Sequence, residues 1–191
     1  MSESDSQLIR KHEFVVSFRM GTIQIRDVGD VGEAEITESF QREKVAESPD
    51  CTLLTFDQIR EAGFTRVRFE LHEHRPPLNA DRWDHIVECN LWMPTGELEI
   101  DVIGESICDG STLETCGNVF PVGPAGMYRL YVCFGNLKLT DERLDAKEID
   151  LRCSPEMPSR EELNRLEFID VFLWPVATHG LKLHKAYQHV T

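Results

Sequence analysis

The sequence predicts an all-β fold, an antiparallel two-sheet β-sandwich with long loops and one or two short helical turns. Apolar and polar residues alternate with a period of two in several separate segments, the pattern of strands with one face in a core. Pro and Gly residues punctuate those segments at turn positions. No stretch carries the apolar spacing of a long amphipathic helix. Short strands bounded by turns favour two packed sheets over an α/β arrangement, with about eight or nine strands expected.

The first patterned stretch runs from Glu13 to Asp27. Phe14, Val16 and Phe18 alternate with Glu13, Ser17 and Arg19, and after Met20 and Gly21 the alternation resumes with Ile23 and Ile25. Two alternating arms about a glycine read as a hairpin. From Asp27 to Asp50 the chain has eight acidic residues against Arg42 and Lys44, the composition of a long loop with a short helix near Glu38 to Ala46. Cys51 to Phe56 is a short strand. Asp57 to Ala62 reads as one helical turn, with Asp57 as cap and Gly63 as stop.

In Arg66 to His72, Val67, Phe69 and Leu71 face one way, and Arg66, Arg68, Glu70 and His72 the other, until Pro76 and Pro77 end the strand. Trp83 to Ile103 is the clearest hairpin signal. One arm sets His85, Val87, Cys89, Leu91 and Met93 on one face. The other sets Leu98, Ile100 and Val102 inward and Glu97, Glu99 and Asp101 outward, and Pro94, Thr95 and Gly96 form the turn. Tyr128, Leu130, Val132 and Phe134 form the next apolar stripe. Asp141 to Arg165 reads as a second long loop with a helical turn from Ser159, and Leu166 to Trp174 as the last core strand, closed by Pro175. The expected organisation is a flexible N-terminus over 1–12, a single sandwich domain over 13–175 and a C-terminal tail over 176–191.

At 191 residues the chain is long enough to bury a core without disulfides or metals. Its polar, acidic start has no signal-peptide pattern, and no run of about 18 apolar residues occurs, so a cytoplasmic location without membrane contact is expected. The six cysteines are accordingly read as reduced thiols, with Cys108 and Cys116 the pair placed to bridge a loop. Thirty-four Asp and Glu oppose 20 Lys and Arg, a net charge of −14 that argues against nucleic acid as a partner and favours a basic protein.

Phosphate-loop, dinucleotide and G-x-S-x-G signatures are absent, and no cysteine lies in a catalytic signature. Glu70, His72 and His74 lie two apart on one strand face, the spacing that lets a carboxylate and two imidazoles converge on a divalent metal. They are the candidate ligands of a metal-dependent enzyme or small-ligand site; the competing reading is a solvated strand end. His179, His184 and His189 share neither a helix nor a strand face and read as tail residues. Trp92, opposite in phase to Leu91 and Met93, is an expected exposed aromatic beside Glu88 and Asn90, and so a candidate binding anchor.

Three blocks carry a resemblance: Trp83 to Glu88 with Pro94 to Leu98, then Pro124 to Leu130, then Phe172 to Pro175. In this order they resemble a little-characterised group of bacterial β-sandwich proteins and, more distantly, the competence protein J family of inhibitors of the bacterial DNA-entry nuclease. The similarity covers about half the chain, roughly Trp83 to Pro175, and rests on turn and core residues, so it implies fold and transfers no functional residue. The resemblance implies an inhibitor or immunity-type role. Together these readings give a non-enzymatic protein-binding module that needs no cofactor and meets a basic partner through Glu97, Glu99, Asp101 and Trp92.

Overall fold

The computed structural model describes residues 6–28, 44–48, 51, 53–56, 62–105, 119–137, 161, 167–176 and 182–185. Among these residues ten strands run in chain order: β1 (Leu8–Asp27), β2 (Val45–Glu47), β3 (Leu53–Phe56), β4 (Ala62–His72), β5 (His85–Met93), β6 (Glu97–Glu105), β7 (Val119–Pro121), β8 (Gly126–Gly135), β9 (Phe168–Pro175) and β10 (Lys182–Lys185). A 3₁₀ turn at Ala80–Arg82 is capped by the Asn79 side chain, and Leu137 and Glu161 are also helical. The described residues include no helix long and apolar enough to cross a membrane.

The expected hairpin at Glu13–Asp27 is instead one 20-residue strand. From Leu8 to Arg19 it pairs with β4, and from Thr22 to Asp27 it lies between β3 and β6. Met20 and Gly21, read from sequence as a turn, mark the stretch where the strand leaves one set of partners for the other, and the β6 register shifts there. β1 thereby folds a continuous ladder into two layers. The larger runs β10-β5-β8-β9-β4-β1 and the smaller β2-β3-β1-β6-β7.

The layers bury a shared core that includes Phe14, Phe69, Leu91, Leu130, Phe134 and Val171 from the larger and Ile23, Ile25, Leu54, Phe56, Leu98 and Phe120 from the smaller. Aromatic pairs join them, Phe56 edge-on to Phe134 at 6.2 Å and Phe69 stacked on Phe120 at 5.7 Å. The inward residues expected on β4, β5 and β8 are all buried, as are Leu98 and Ile100 of β6. This is the predicted two-sheet, all-β arrangement, and among the described residues every strand pair but one is antiparallel. In the exception, β4 and β9 run parallel, with Arg66 opposite Phe168 and Leu71 opposite Leu173.

That exception follows from layer order. β4 and β5 point the same way and are separated by β8 and β9, so the twelve residues from Glu73 to Asp84 return the chain across the outside of the large layer. β8 opposes β5, β9 opposes β8, and β9 therefore runs with β4.

The second expected hairpin also resolves differently. β5 and β6 flank the predicted Pro94-Thr95-Gly96 turn but do not pair: β5 joins β8 and β10, β6 joins β1 and β7, so the turn is an arch between layers. Residues 122–125 form a second arch from β7 to β8, and the two interlock. Val122 N and Gly123 N donate to Gly96 O at 2.9 and 3.1 Å. Asp27 Oδ1 braces the first arch by accepting from Thr95 N at 3.0 Å and Thr95 Oγ1 at 2.7 Å, and the Tyr128 hydroxyl braces the second by donating to Pro124 O at 2.8 Å.

Pairing begins at Leu8, inside the stretch 1–12 expected to be flexible, and β10 lies inside the stretch 176–191 expected to be a tail. Of the expected helical turns, that near Glu38–Ala46 overlaps β2 at its end and otherwise lies outside the described residues. That from Asp57 also lies outside them, except Ala62, which opens β4, and of that from Ser159 only Glu161 is described, in helical conformation. Cys51, Cys89 and Cys133 are free thiols, while Cys108, Cys116 and Cys153, and with them the considered bridge, lie outside the described residues.

The arch contact admits no side chain at Gly96. Its φ of +74° favours glycine, and a Cβ there would lie 1.9 Å from Gly123 O. Gly96→Ala is expected to cost on the order of 2 kcal/mol or more, read as a lowered urea midpoint with unchanged slope.

Candidate functional site

The crossing segment 73–84 converts the outer face of the large layer into a second, buried interior. Trp83 meets Phe172 edge-on at 5.5 Å, Tyr131 meets Trp174 at 4.8 Å, and Ile86 and Cys133 complete the cluster, with Leu78, Phe168 and Val176 packed against it. Residues on this face that alternation alone marks as solvated are therefore covered. Glu88 and Asn90, expected beside an exposed Trp92, are buried.

Cations meet these buried polar groups. Glu88 pairs with Arg129 at 2.8 Å and Arg75 at 3.1 Å. Arg129 Nε also donates to Asn90 Oδ1 at 3.2 Å, and Arg75 Nε donates to the Tyr131 hydroxyl. On β9 the buried Asp170 pairs with Arg68 and accepts from Trp83 Nε1 at 3.0 Å. Burial pushes the Asp170 carboxyl above the usual carboxylate range, against the downward pull of Arg68 and the Trp83 hydrogen bond. The Cys133 thiol is pushed well up by burial and by the neighbouring Asp170 charge, which leaves it protonated and unreactive. Burial also raises the Tyr131 hydroxyl, opposed by Arg75. Sealed groups with such values form a structural network.

The candidate metal ligands separate at the end of β4. Glu70 and His72 share a face, with Glu70 Oε2 3.5 Å from His72 Nε2, but Glu70 already pairs with Lys11 at 3.1 Å and lies 3.6 Å from Arg68. His74 lies past the strand end, exposed, 3.9 Å from Glu73. Neither ring nitrogen of the buried His72 makes a hydrogen bond among the described residues. No three His, Cys, Asp or Glu side chains among those residues are grouped to hold a metal ion.

The predicted partner-facing residues lie around the arches. Trp92 is 39% exposed, and its backbone N donates to Cys51 O at 2.6 Å, which helps cover the edge of β5. Glu97 is exposed. Glu99 is half-buried and paired with Arg26 at 3.3 Å. Asp101 sits opposite Gln24 in the β1–β6 ladder, and its side chain lies outside the described residues.

A cleft of about 230 Å³ opens at the arch end between Ile9, His72, Val122, Met127, Tyr128 and Val176. Sequence reasoning missed it because its walls come from four segments distant along the chain. It also missed the cations that cover Glu88 and Asp170. The available signals were a lone Asp170 within Phe168–Trp174 and a lone Arg129 within Met127–Phe134, charges that an apolar strand tolerates only when paired.

Two solved structures share this architecture. The structure of ComJ, inhibitor of the DNA degrading activity of NucA, from Bacillus subtilis, matches 91% of this chain and 100% of its own at 13% identity and a TM-score of 0.53. That of crocagin biosynthetic gene J matches 87% of this chain and 97% of its own at 18% identity and a TM-score of 0.51. At these identities the likeness establishes a ComJ-like fold. No family model and no curated protein matches the chain.

The raised Asp170 carboxyl has a pH signature. A carboxyl whose folded value lies above its unfolded one favours the protonated native state, so its contribution to stability is full below the unfolded value and declines as pH rises through the folded one. The stability of the wild type relative to Asp170→Asn, measured by urea unfolding, is expected to fall as pH rises from 3.8 upward. A difference that grows over that window would refute the assignment.

Proposed function

We propose that this protein is a non-enzymatic binding module of the inhibitor type that engages a basic protein, such as a nuclease, through an acidic surface. The likeness over 91% of the chain to an inhibitor of a DNA-degrading enzyme carries this reading. A net charge of −14 supports it, because an anionic protein steers a cationic partner into encounter and leaves affinity to a few apolar anchors.

Within the acidic row, Glu97 is open and Glu99 is engaged by Arg26, so Glu97 and Asp101 are the residues assigned to the partner, with Trp92 as anchor. The test is capture of partners from the native host by wild-type protein and by a Glu97→Lys, Glu99→Lys, Asp101→Lys variant, followed by a nuclease assay of what is captured. The reading expects a basic protein that the wild type retains at low salt, releases toward about 0.5 M salt, and loses in the variant. Equal capture by both proteins at every salt would remove the acidic row from the interface.

A further inference from the structure

The rim of the large layer at the arch end carries a row of apolar side chains that no single segment of sequence displays. The order β5-β8-β9-β4-β1 sets five strand ends side by side. Register places Trp92 beside Met127 and Leu8 beside His72, and Val176 N donates to Met127 O at 3.0 Å. Tyr128 belongs to the core between the layers, so Met127 faces outward; Val176 packs on the outer cluster, and His72 meets Phe172 of that cluster at 6.0 Å. The row therefore reads Trp92, Met127, Val176, His72 and Leu8, with Ile9 beside Leu8 in the β1 bulge, across five neighbouring strand ends, about 19 Å at the usual strand spacing.

Its two ends are open, Trp92 at 39% and Ile9 at 57% exposure, with Leu8 beside Ile9 at 46%. The cleft lies within the row, walled by Ile9, His72, Met127 and Val176. Its volume of about 230 Å³ falls below the roughly 300–1,000 Å³ of small-molecule sites, and suits one large side chain. Beyond the row stand two exposed carboxylates, Glu73 next to His72 and Glu97 across the arch from Trp92, and neither pairs with Lys or Arg among the described residues. Exposed apolar side chains beside a cleft suit an interaction surface, and nearby carboxylates favour a cationic neighbour.

We propose that this rim is the docking surface for a segment of a protein partner in which an apolar side chain is flanked by lysine or arginine. The apolar group enters the cleft, and the cations meet Glu73 and Glu97. The inference rests on the protein-binding reading and names its surface, displacing the weight of the contact from the β6 row to the rim.

The probe is an acetylated, amidated Lys-Lys-Leu-Phe-Lys-Lys peptide titrated into isotope-labelled protein, with Lys-Lys-Ser-Ser-Lys-Lys as control. Saturable shifts are expected at Ile9, Trp92, Met127 and Val176 with the first peptide and not with the second. Ile9→Glu and Ala125→Trp, both at exposed positions, should weaken binding about tenfold or more. Glu73→Lys and Glu97→Lys should each weaken it about threefold. Shifts that are equal for both peptides, that fall on Glu99 and Asp101, or that survive both cleft variants overturn the proposal. A host partner that binds Ile9→Glu and Ala125→Trp as it binds wild type overturns the rim and leaves the protein-binding reading intact. Peptide binding at the rim with no host partner captured does the reverse.

Discussion

The fold depends on a single strand belonging to two layers. Because the first half of β1 pairs with β4 and the second lies between β3 and β6, the layers are parts of one hydrogen-bonded ladder, and their separation is fixed by backbone rather than by side-chain packing alone. Phe14 and Val16 before the bend, and Ile23 and Ile25 after it, then point into the same core from opposite sides. The opposite closure is made by the two arches, where Gly96 O accepts from two successive amides and Gly96 has no room for a Cβ at the crossing. A sandwich tied by a shared strand and by interlocked arches leaves few ways for its layers to slide.

The same topology imposes a cost elsewhere. With β8 and β9 inserted between them, β4 and β5 are joined only by a crossing over the outer face, and that crossing desolvates Glu88, Asn90 and Asp170. Burying carboxylates is unfavourable unless cations and hydrogen-bond donors replace the lost water. The replacements are local: Arg75 comes from the crossing itself, Arg129 from the neighbouring strand, and Trp83 from its last turn before β5. The rise of the Asp170 carboxyl, despite Arg68 beside it, says that desolvation outweighs the pair. Arg75 over the Tyr131 ring at 5.2 Å and Arg82 over Trp83 at 5.3 Å extend the cover with cation–π contacts.

Sequence pattern read the inward faces well, because period-two alternation reports which residues share a side and is insensitive to which strand lies next door. Val67, Phe69 and Leu71 or Tyr128, Leu130 and Val132 are legible for that reason. Pairing was not. A turn such as Pro94-Thr95-Gly96 has the same local chemistry whether it closes a hairpin or spans two layers, and the choice is made by β8, thirty residues on. The polar face of β4 misled for a related reason: Glu70, His72 and His74 share a phase, but the strand ends at His72 and carries His74 away, while Lys11 from β1 takes the place beside Glu70 that a metal would need. Of the residues proposed to face a partner, the exposure of Trp92 was legible from phase and the pairing of Glu99 was not, since its Arg26 partner is fixed only by the β1–β6 register. The cleft was illegible altogether.

The separation of charge and apolar surface bears on how such a protein would bind. Lys11, Arg66, Arg68, Arg75 and Arg129 on the outer face are engaged with Glu13, Glu70, Glu88 and Asp170, so that face is close to balanced although the chain as a whole carries −14. The excess negative charge of the chain as a whole acts at long range and is screened by salt. Long-range attraction raises encounter rates but supplies little residence time, which requires buried apolar contact. The rim from Trp92 to Ile9 supplies such contact in a row that crosses five strands. A partner drawn in by the general field and held at the rim would lose encounter rate when surface carboxylates are reversed and residence time when the cleft is filled, so the two parts of the surface separate kinetically even where equilibrium affinity responds to both.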